Sequence, residues 1–360
     1  MLSICRGLNR GFGGWYRVAN ARYFSIERRS SYRDHAGENE SFVLSTCLRN
    51  FSRGINPNNG VDAGVIIGGC RKAKVPRPFT IDRDVQDLLT VEQGYQLQQL
   101  VDNAVECNDK DWKPCGYKIG ATNAAAQERM GLSSPFVAKL FSASTLVPMS
   151  KDVTETASLS TPVYLRGVEA EWAFIIGADL PSLSGDAVYS TEDVKNAVAA
   201  VVPSIEVLGT RFSHPVGTAL AIADGGGNGF VVLPTKEQWR TPSDWECTSA
   251  DEIKVSTYLD GKLKAEGSGA NVLGHPLNAL EWLVNHASRE SLKAGDVVIS
   301  GACNGIVPLS SDSPPSNIKI VFEGWTDLSL DLQHDTFVPF EVYLRRWANA
   351  PGNHHSEKNK

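Results

Sequence analysis

Two glutamates one residue apart, Glu169 and Glu171, stand inside the run Val168 to Ile176, which is otherwise apolar and made of strand-forming residues. Side chains alternate faces along a strand, so the two carboxylates share one face, roughly 7 Å apart. Like charges at that spacing on an apolar element repel each other and are costly to desolvate unless a cation neutralises them. Glu206 repeats the pattern as the single carboxylate of Pro203-Ser204-Ile205-Glu206-Val207-Leu208. Three strand-borne carboxylates offer an all-oxygen site to a hard divalent cation such as Mg²⁺ or Mn²⁺. The same spacing also fits the wet face of an edge strand, and spacing alone does not choose between the two.

The chain of 360 residues is long enough to bury a large core and to carry an appendage. With 42% hydrophobic and 21% charged residues it reads as an ordinary soluble protein. A net charge of -6 without a compensating basic stripe argues against a nucleic-acid partner. The longest apolar runs are too short for a membrane span. Seven cysteines (Cys5, Cys47, Cys70, Cys107, Cys115, Cys247, Cys303) are scattered, odd in number and free of any C-x-x-C pair. That pattern fits a reducing compartment and argues against a zinc ribbon or a disulfide framework. Cys303 is read as an incidental thiol rather than a nucleophile.

The N-terminus differs from everything after it. Arg6, Arg10, Arg17, Arg22, Arg28, Arg29 and Arg33 are interleaved with apolar residues and serines, and Glu27 is the only acid before Asp34. An arginine-rich, acid-poor start is the signature of an organelle transit peptide. Arg22-Tyr23-Phe24-Ser25 resembles a matrix-processing site, which places cleavage after Phe24 and the protein in the mitochondrial matrix; without such a peptide it is cytoplasmic. Asn56-Pro57-Asn58-Asn59-Gly60 and Gly68-Gly69 read as turn or linker chemistry, so residues 1–77 are expected to be a transit peptide and a disordered linker. Residues 78–345 then form the catalytic domain, and residues 346–360 a polar tail.

Within that domain Thr90 and Gln93 predict a capping box opening a helix through Val101. A second helix is expected from Thr191 to Val202, capped by Ser190 or Thr191 and stopped by Pro203. A third follows His275, with Pro276 at its first position, through Leu283. Strands are expected over Ile253–Leu259, Asp296–Ser300, Ile318–Phe322, Leu328–Leu332 and Phe337–Leu344. Strands outnumber helices and lack βαβ spacing, so the expected class is α+β, a mixed and mainly antiparallel sheet with a few flanking helices.

Several blocks occur in one order: Thr90-Val91-Glu92-Gln93-Gly94-Tyr95, Gly116-Tyr117-Lys118-Ile119-Gly120, Arg166-Gly167-Val168-Glu169-Ala170-Glu171, Ile205-Glu206-Val207, Gly274-His275-Pro276-Leu277-Asn278-Ala279 and Ala294-Gly295-Asp296-Val297-Val298. Together they resemble the hydratase/decarboxylase branch of the fumarylacetoacetate hydrolase superfamily, over roughly residues 78 to 345. The resemblance implies the sheet roll of the fumarylacetoacetase C-terminal type and a homo-oligomer. It implies Glu169, Glu171 and Glu206 as ligands of Mg²⁺ or Mn²⁺, and a small 2-ketoacid or 2-hydroxy-2,4-dienoate as substrate. Lys118, otherwise a surface cation, matches the active-site lysine, a proton donor or an electrostatic partner of an enolate. The implied reaction is hydration of the 2-keto-4-pentenoate hydratase type. The alternatives are decarboxylation of a 2-ketoacid of the 4-oxalocrotonate or oxaloacetate type, and a catalytically silent binding or structural homologue.

Gly226 and Gly227, with Gly301 and Asn304, sit in two glycine-rich loops that either offer groups to a substrate or are tight turns. Arg211 either pairs with a substrate carboxylate or is a structural ion-pair partner. Two departures stand out. Ser142 follows Leu140-Phe141 where the branch carries an acid, and Gly225-Gly226-Gly227 replaces an Asn-Ala-Ser. No histidine lies between His35 and His214, which weighs against the hydrolase branch. His275 reads as a helix-start residue rather than a ligand.

Overall fold

In a computed structural model the described residues are 36–54, 58–72, 79–106, 111–146, 164–212, 214–241, 250–285, 291–309, 315–325, 327–331 and 338–339. The processing site at Phe24 and the polar tail lie outside them. Helices α1 (Ala36–Ser52), α2 (Asn58–Lys72), α3 (Arg83–Gln86) and α4 (Val91–Glu106) come first. Strand β1 (Pro114–Gly120), helix α5 (Ala124–Met130) and strands β2 (Phe136–Phe141) and β3 (Thr145–Leu146) lead to the long β4 (Tyr164–Ile176). Helix α6 (Thr191–Asn196), β5 (Val198–Thr210), α7 (Thr218–Ala223) and β6 (Asn228–Val232) follow. The remaining elements are β7 (Lys254–Leu259), β8 (Lys262–Ser268), α8 (Pro276–Asn285), β9 (Val297–Ala302), β10 (Val307–Pro308), β11 (Asn317–Phe322), β12 (Leu328–Asp331) and β13 (Val338–Pro339).

The strands form two sheets. The larger runs β2-β1-β9-β4-β5-β6-β3, with β10 and β13 also pairing with β4; the smaller runs β12-β11-β7-β8. Among the described residues only the β1–β9, β3–β6 and β4–β13 strand pairs are parallel, so the α+β class with a mixed, mainly antiparallel sheet is what the chain adopts. Period-2 alternation on β4 divides the interior. Val168, Ala170, Trp172, Phe174 and Ile176 enter the core shared with the smaller sheet, where the Trp172 ring meets Phe322 and Trp325 edge-on at 4.8 and 4.7 Å. Ala173 and Ile175 point the other way, with Ala200, Val202, Val231, Val297 and Ile299. Glu169 and Glu171 are on that second face.

The capping box expected at Thr90 forms, and of the two caps expected for α6 it is Ser190 that serves, in a second box. Thr90 Oγ1 accepts from the Gln93 N–H at 3.2 Å while Gln93 Oε1 accepts from the Thr90 N–H at 3.1 Å, and Ser190 and Asp193 do the same at the start of α6. His275 behaves as a helix-start residue, its Nδ1 accepting from the Leu277 N–H at 3.1 Å.

Two expectations need correction. The helix from Thr191 stops at Asn196, and the β-branched run Val198 to Val207 continues as β5 straight through Pro203. Pro203 pairs with Trp172 on the β4 side. Its nitrogen faces the other edge, as the Val201 N–H does in reaching Arg240 O at 2.9 Å, and the β6 ladder ends at Ile205↔Val232. The missing donor therefore breaks no ladder bond there.

Residues 36–54 and 58–72 are not linker but helical hairpin. Leu44, Cys47 and Leu48 of α1 and Ala63, Ile67 and Cys70 of α2 pack on Leu97, Val101 and Val105 of α4. The glycines that read as linker, Gly60, Gly64 and Gly68, form one stripe at i, i+4, i+8. A Cβ added at Gly64 would lie 2.7 Å from Leu100 Cβ and 2.9 Å from the Leu100 backbone carbon, so α2 and α4 approach closer than any side chain there allows.

Candidate metal centre and active site

Register sets the carboxylate spacing. Glu169 on β4 lies directly opposite Glu206 on β5, and Glu171 lies two residues along on the same face. Each offers one oxygen within 4.8 Å of the others. Lys118 reaches them from β1, which pairs with β9 at Lys118↔Ile299 and so shares the face. Its Nζ sits 2.8 Å from Glu206 Oε1 and 2.9 Å from Oε2, and donates to the Gly226 carbonyl at 3.3 Å. The structure thus brings together Lys118, Glu169, Glu171, Glu206 and Gly226.

Neighbours hold these carboxylates in place. The Gly301 N–H donates to Glu171 Oε2 at 2.8 Å, and Asn228 Nδ2 donates to Glu206 Oε1 at 2.7 Å. Phe136 covers the ammonium of Lys118 at 5.9 Å from its ring centre. Asn228 and Phe136 were not singled out in the sequence; Asn228 ends the Gly225–Gly227 loop, and only the fold brings Phe136 to Lys118.

Arg211 and Asn304 are corrections as substrate-binding residues. Arg211, 2% exposed, is held by Asp224 through Nε and through Nη2 to the Asp224 carbonyl, while Nη1 donates to Asn228 O at 2.9 Å. A buried guanidinium so engaged is the structural ion-pair partner. Asn304 turns its Nδ2 to Thr257 Oγ1 of β7 at 2.8 Å, toward the smaller sheet. Gly227 is buried in its turn.

Glu171 and Glu206 are buried and Glu169 is half-buried. Loss of water, then the Glu206 charge, pushes the Glu169 carboxyl up to about 7, and Glu171 rises well above the usual range for the same two reasons plus the charge of Glu169. Burial works against the charged form of Lys118, but Glu206, Glu169 and Glu171 outweigh it and hold the ammonium above its ordinary value. Three carboxylates against one ammonium leave this desolvated site short of positive charge. An all-oxygen donor set that holds protons too tightly for want of a counter-charge fits a hard divalent cation. Among the described residues no other group of three metal-ligating side chains is found.

Residues 121–321 match the family model for the C-terminal domain of fumarylacetoacetate (FAA) hydrolase. The 2-keto-4-pentenoate hydratase of Paraburkholderia xenovorans is 30% identical over 234 residues, 64% of this chain and 81% of that protein. The TodF product hydratase of Pseudomonas putida is 32% identical over 198 residues, 54% of this chain and 68% of its own. The solved 4-oxalocrotonate decarboxylase from Pseudomonas putida G7, complexed with magnesium and adipate, has the same fold at a TM-score of 0.61 and 21% identity, over 75% of this chain and 97% of that one. With its family domain spanning the carboxylate triad and most of the sheet that carries it, the chain belongs to the fumarylacetoacetate hydrolase family.

Proposed function

We infer that the protein is a divalent-metal-dependent lyase that hydrates a small 2-hydroxy-2,4-dienoate to a 4-hydroxy-2-oxo acid, with Glu169, Glu171 and Glu206 as the metal ligands. The observation that carries the reading is the set of three carboxylates within 4.8 Å on one sheet face, with Lys118 Nζ against Glu206. The hydratase relatives support the reaction type, and the magnesium complexed by the fold neighbour supports Mg²⁺ as the ion. When bound, such a cation supplies a Lewis acid and a template for the oxygens of a 2-oxo acid.

The chain's own groups do the rest. Lys118 serves as a fixed cation and proton donor toward charge developing on an enolate oxygen. The Gly301 N–H and the Asn228 amide fix the rotamers of Glu171 and Glu206, so their oxygens need no reorganisation during reaction. The Phe136 ring excludes water from one side of the ammonium. Residues 1–24 extend the reading to mitochondrial import, supported by their arginine-rich, acid-poor composition, and family likeness favours a homo-oligomer. Among the described residues no helix is long and apolar enough to cross a membrane.

The test is a panel of 2-hydroxydienoates and 2-oxo acids followed by ultraviolet absorbance, with and without Mg²⁺ or Mn²⁺. Metal-dependent loss of dienoate absorbance without CO₂ release is the expected result. Release of CO₂ would make the enzyme a decarboxylase on the same site, and inertness with metal bound would make it a silent homologue. N-terminal sequencing of the protein recovered from mitochondria tests import, with Ser25 expected first.

A further inference from the structure

Arg71, near the end of α2, is 4% exposed, and neither Nη1 nor Nη2 has a hydrogen-bond partner. Its guanidinium lies over the Phe141 ring, 5.0 Å from the centroid, which fixes its plane and leaves its two terminal nitrogens pointing past the ring. They point at Gly225: a Cβ built there would lie 2.7 Å from Nη1 and 3.2 Å from Nη2. A side chain at position 225 and the guanidinium exclude one another, and Gly225 leaves the space to the arginine. Asp102, Asp224 and Glu206 attract the group and Arg211 repels it, but Asp224 is already engaged by Arg211. Burial first, then Arg211, lowers its pKa to about 10, so it stays charged at neutral pH. A buried cation with two unsatisfied nitrogens is costly on its own and is relieved by an anion.

The same loop touches the other cation. Gly226, the next residue, gives its carbonyl to Lys118 Nζ, and its Cβ position lies 3.4 Å from Lys118 Cε. Adjacent Cα atoms are about 3.8 Å apart, so Arg71 Nη1 and Lys118 Cε, each packed against one of two consecutive glycines, are within about 13 Å of each other. We propose that Arg71 binds a second carboxylate of the substrate, and that the enzyme therefore selects dicarboxylates whose far end meets the paired Nη groups. The planar fork suits bidentate recognition of a carboxylate. This rests on the reading of the glutamates as the metal end of the site.

The test uses two ligands with the same chelating head and the same carbon count, 2-oxoadipate and 2-oxohexanoate, titrated calorimetrically into the full chain at saturating Mg²⁺. The wild type should bind 2-oxoadipate at least about 10-fold more tightly, the size expected of a charge-assisted hydrogen-bonded pair. Arg71→Gln should erase the difference by weakening 2-oxoadipate alone, with Mg²⁺ and 2-oxohexanoate affinities unchanged. Gly225→Ala, which drives the guanidinium from its place, should erase it too. Equal affinities in the wild type, a comparison that needs no variant, or a preference that survives Arg71→Gln, would overturn the proposal alone. Failure of the wild type to bind Mg²⁺ would overturn the metal reading and the proposal with it.

Discussion

Glu169, Glu171 and Glu206 ride on two adjacent strands whose register sets their spacing, whereas Arg71, Arg211 and Asp224 are gathered from a helix, a strand end and a loop. At the carboxylate end the backbone ladder does the positioning, the Gly301 N–H orients Glu171, and Asn228 and Lys118 orient Glu206. At the loop end the polar groups of Arg211 and Asp224 are consumed by one another, and the guanidinium of Arg71 stands unpaired. Burial of charge thus serves two ends in one site: uncompensated carboxylates that attract a cation, and a compensated pair that holds a glycine loop.

If that division is right, substitutions at the two ends fail in different ways. Lys118→Met should lower turnover about 10²- to 10⁴-fold, the usual contribution of a positioned proton donor, with Mg²⁺ still bound. Steady-state kinetics beside a metal titration checks this, and loss of metal binding would blur the two ends. Asp224→Ala should instead unfold the protein more easily, by about 3–5 kcal/mol, since it leaves Arg211 buried and alone. A denaturant melt reads it, and an unchanged melt would show the pair to be dispensable. Gly64→Ala should cost about 1–3 kcal/mol by overpacking α2 on Leu100, with the kinetics of the folded fraction unaltered.

The smallest effect concerns protons. Folding raises the Glu169 carboxyl from 4.5 to about 7, so the native state without metal binds more protons than the unfolded chain between those values. This group's contribution to stability is therefore fully kept below about pH 4.5 and declines as pH rises to 7. Mg²⁺ must displace that proton, so its affinity should rise with pH through about 7. A calorimetric series from pH 5.5 to 8 checks the sign; affinity falling with pH would contradict it.

The legible parts of the molecule follow local rules. Alternation along Val168 to Ile176 is a period-2 signal, and it correctly placed Glu169 and Glu171 on one face. The capping pair Thr90/Gln93 is three residues apart and needed no fold to be seen, and Ser190 was one of the two caps expected for α6. Glu206 was visible as the lone carboxylate of an apolar run, but Lys118 was legible only as a member of the ordered blocks, because its approach to Glu206 is made by tertiary structure across a long stretch of chain. The rest depended on tertiary context. Gly60, Gly64 and Gly68 look like linker until α4 supplies the surface they fit, and Pro203 looks like a helix stop until β5 is given an edge where its nitrogen is idle. Arg71 and Gly225 are more than 150 residues apart in the chain, and nothing local in either announces the contact.

Whether the three glutamates form a metal site is decided by titrating Mg²⁺ into the purified chain and into Glu169→Ala, followed calorimetrically at pH 8. The wild type should bind one Mg²⁺ per chain, and the variant should fold normally but lose that binding together with metal-dependent turnover. Equal Mg²⁺ binding by the two proteins, or none by the wild type, would contradict the assignment.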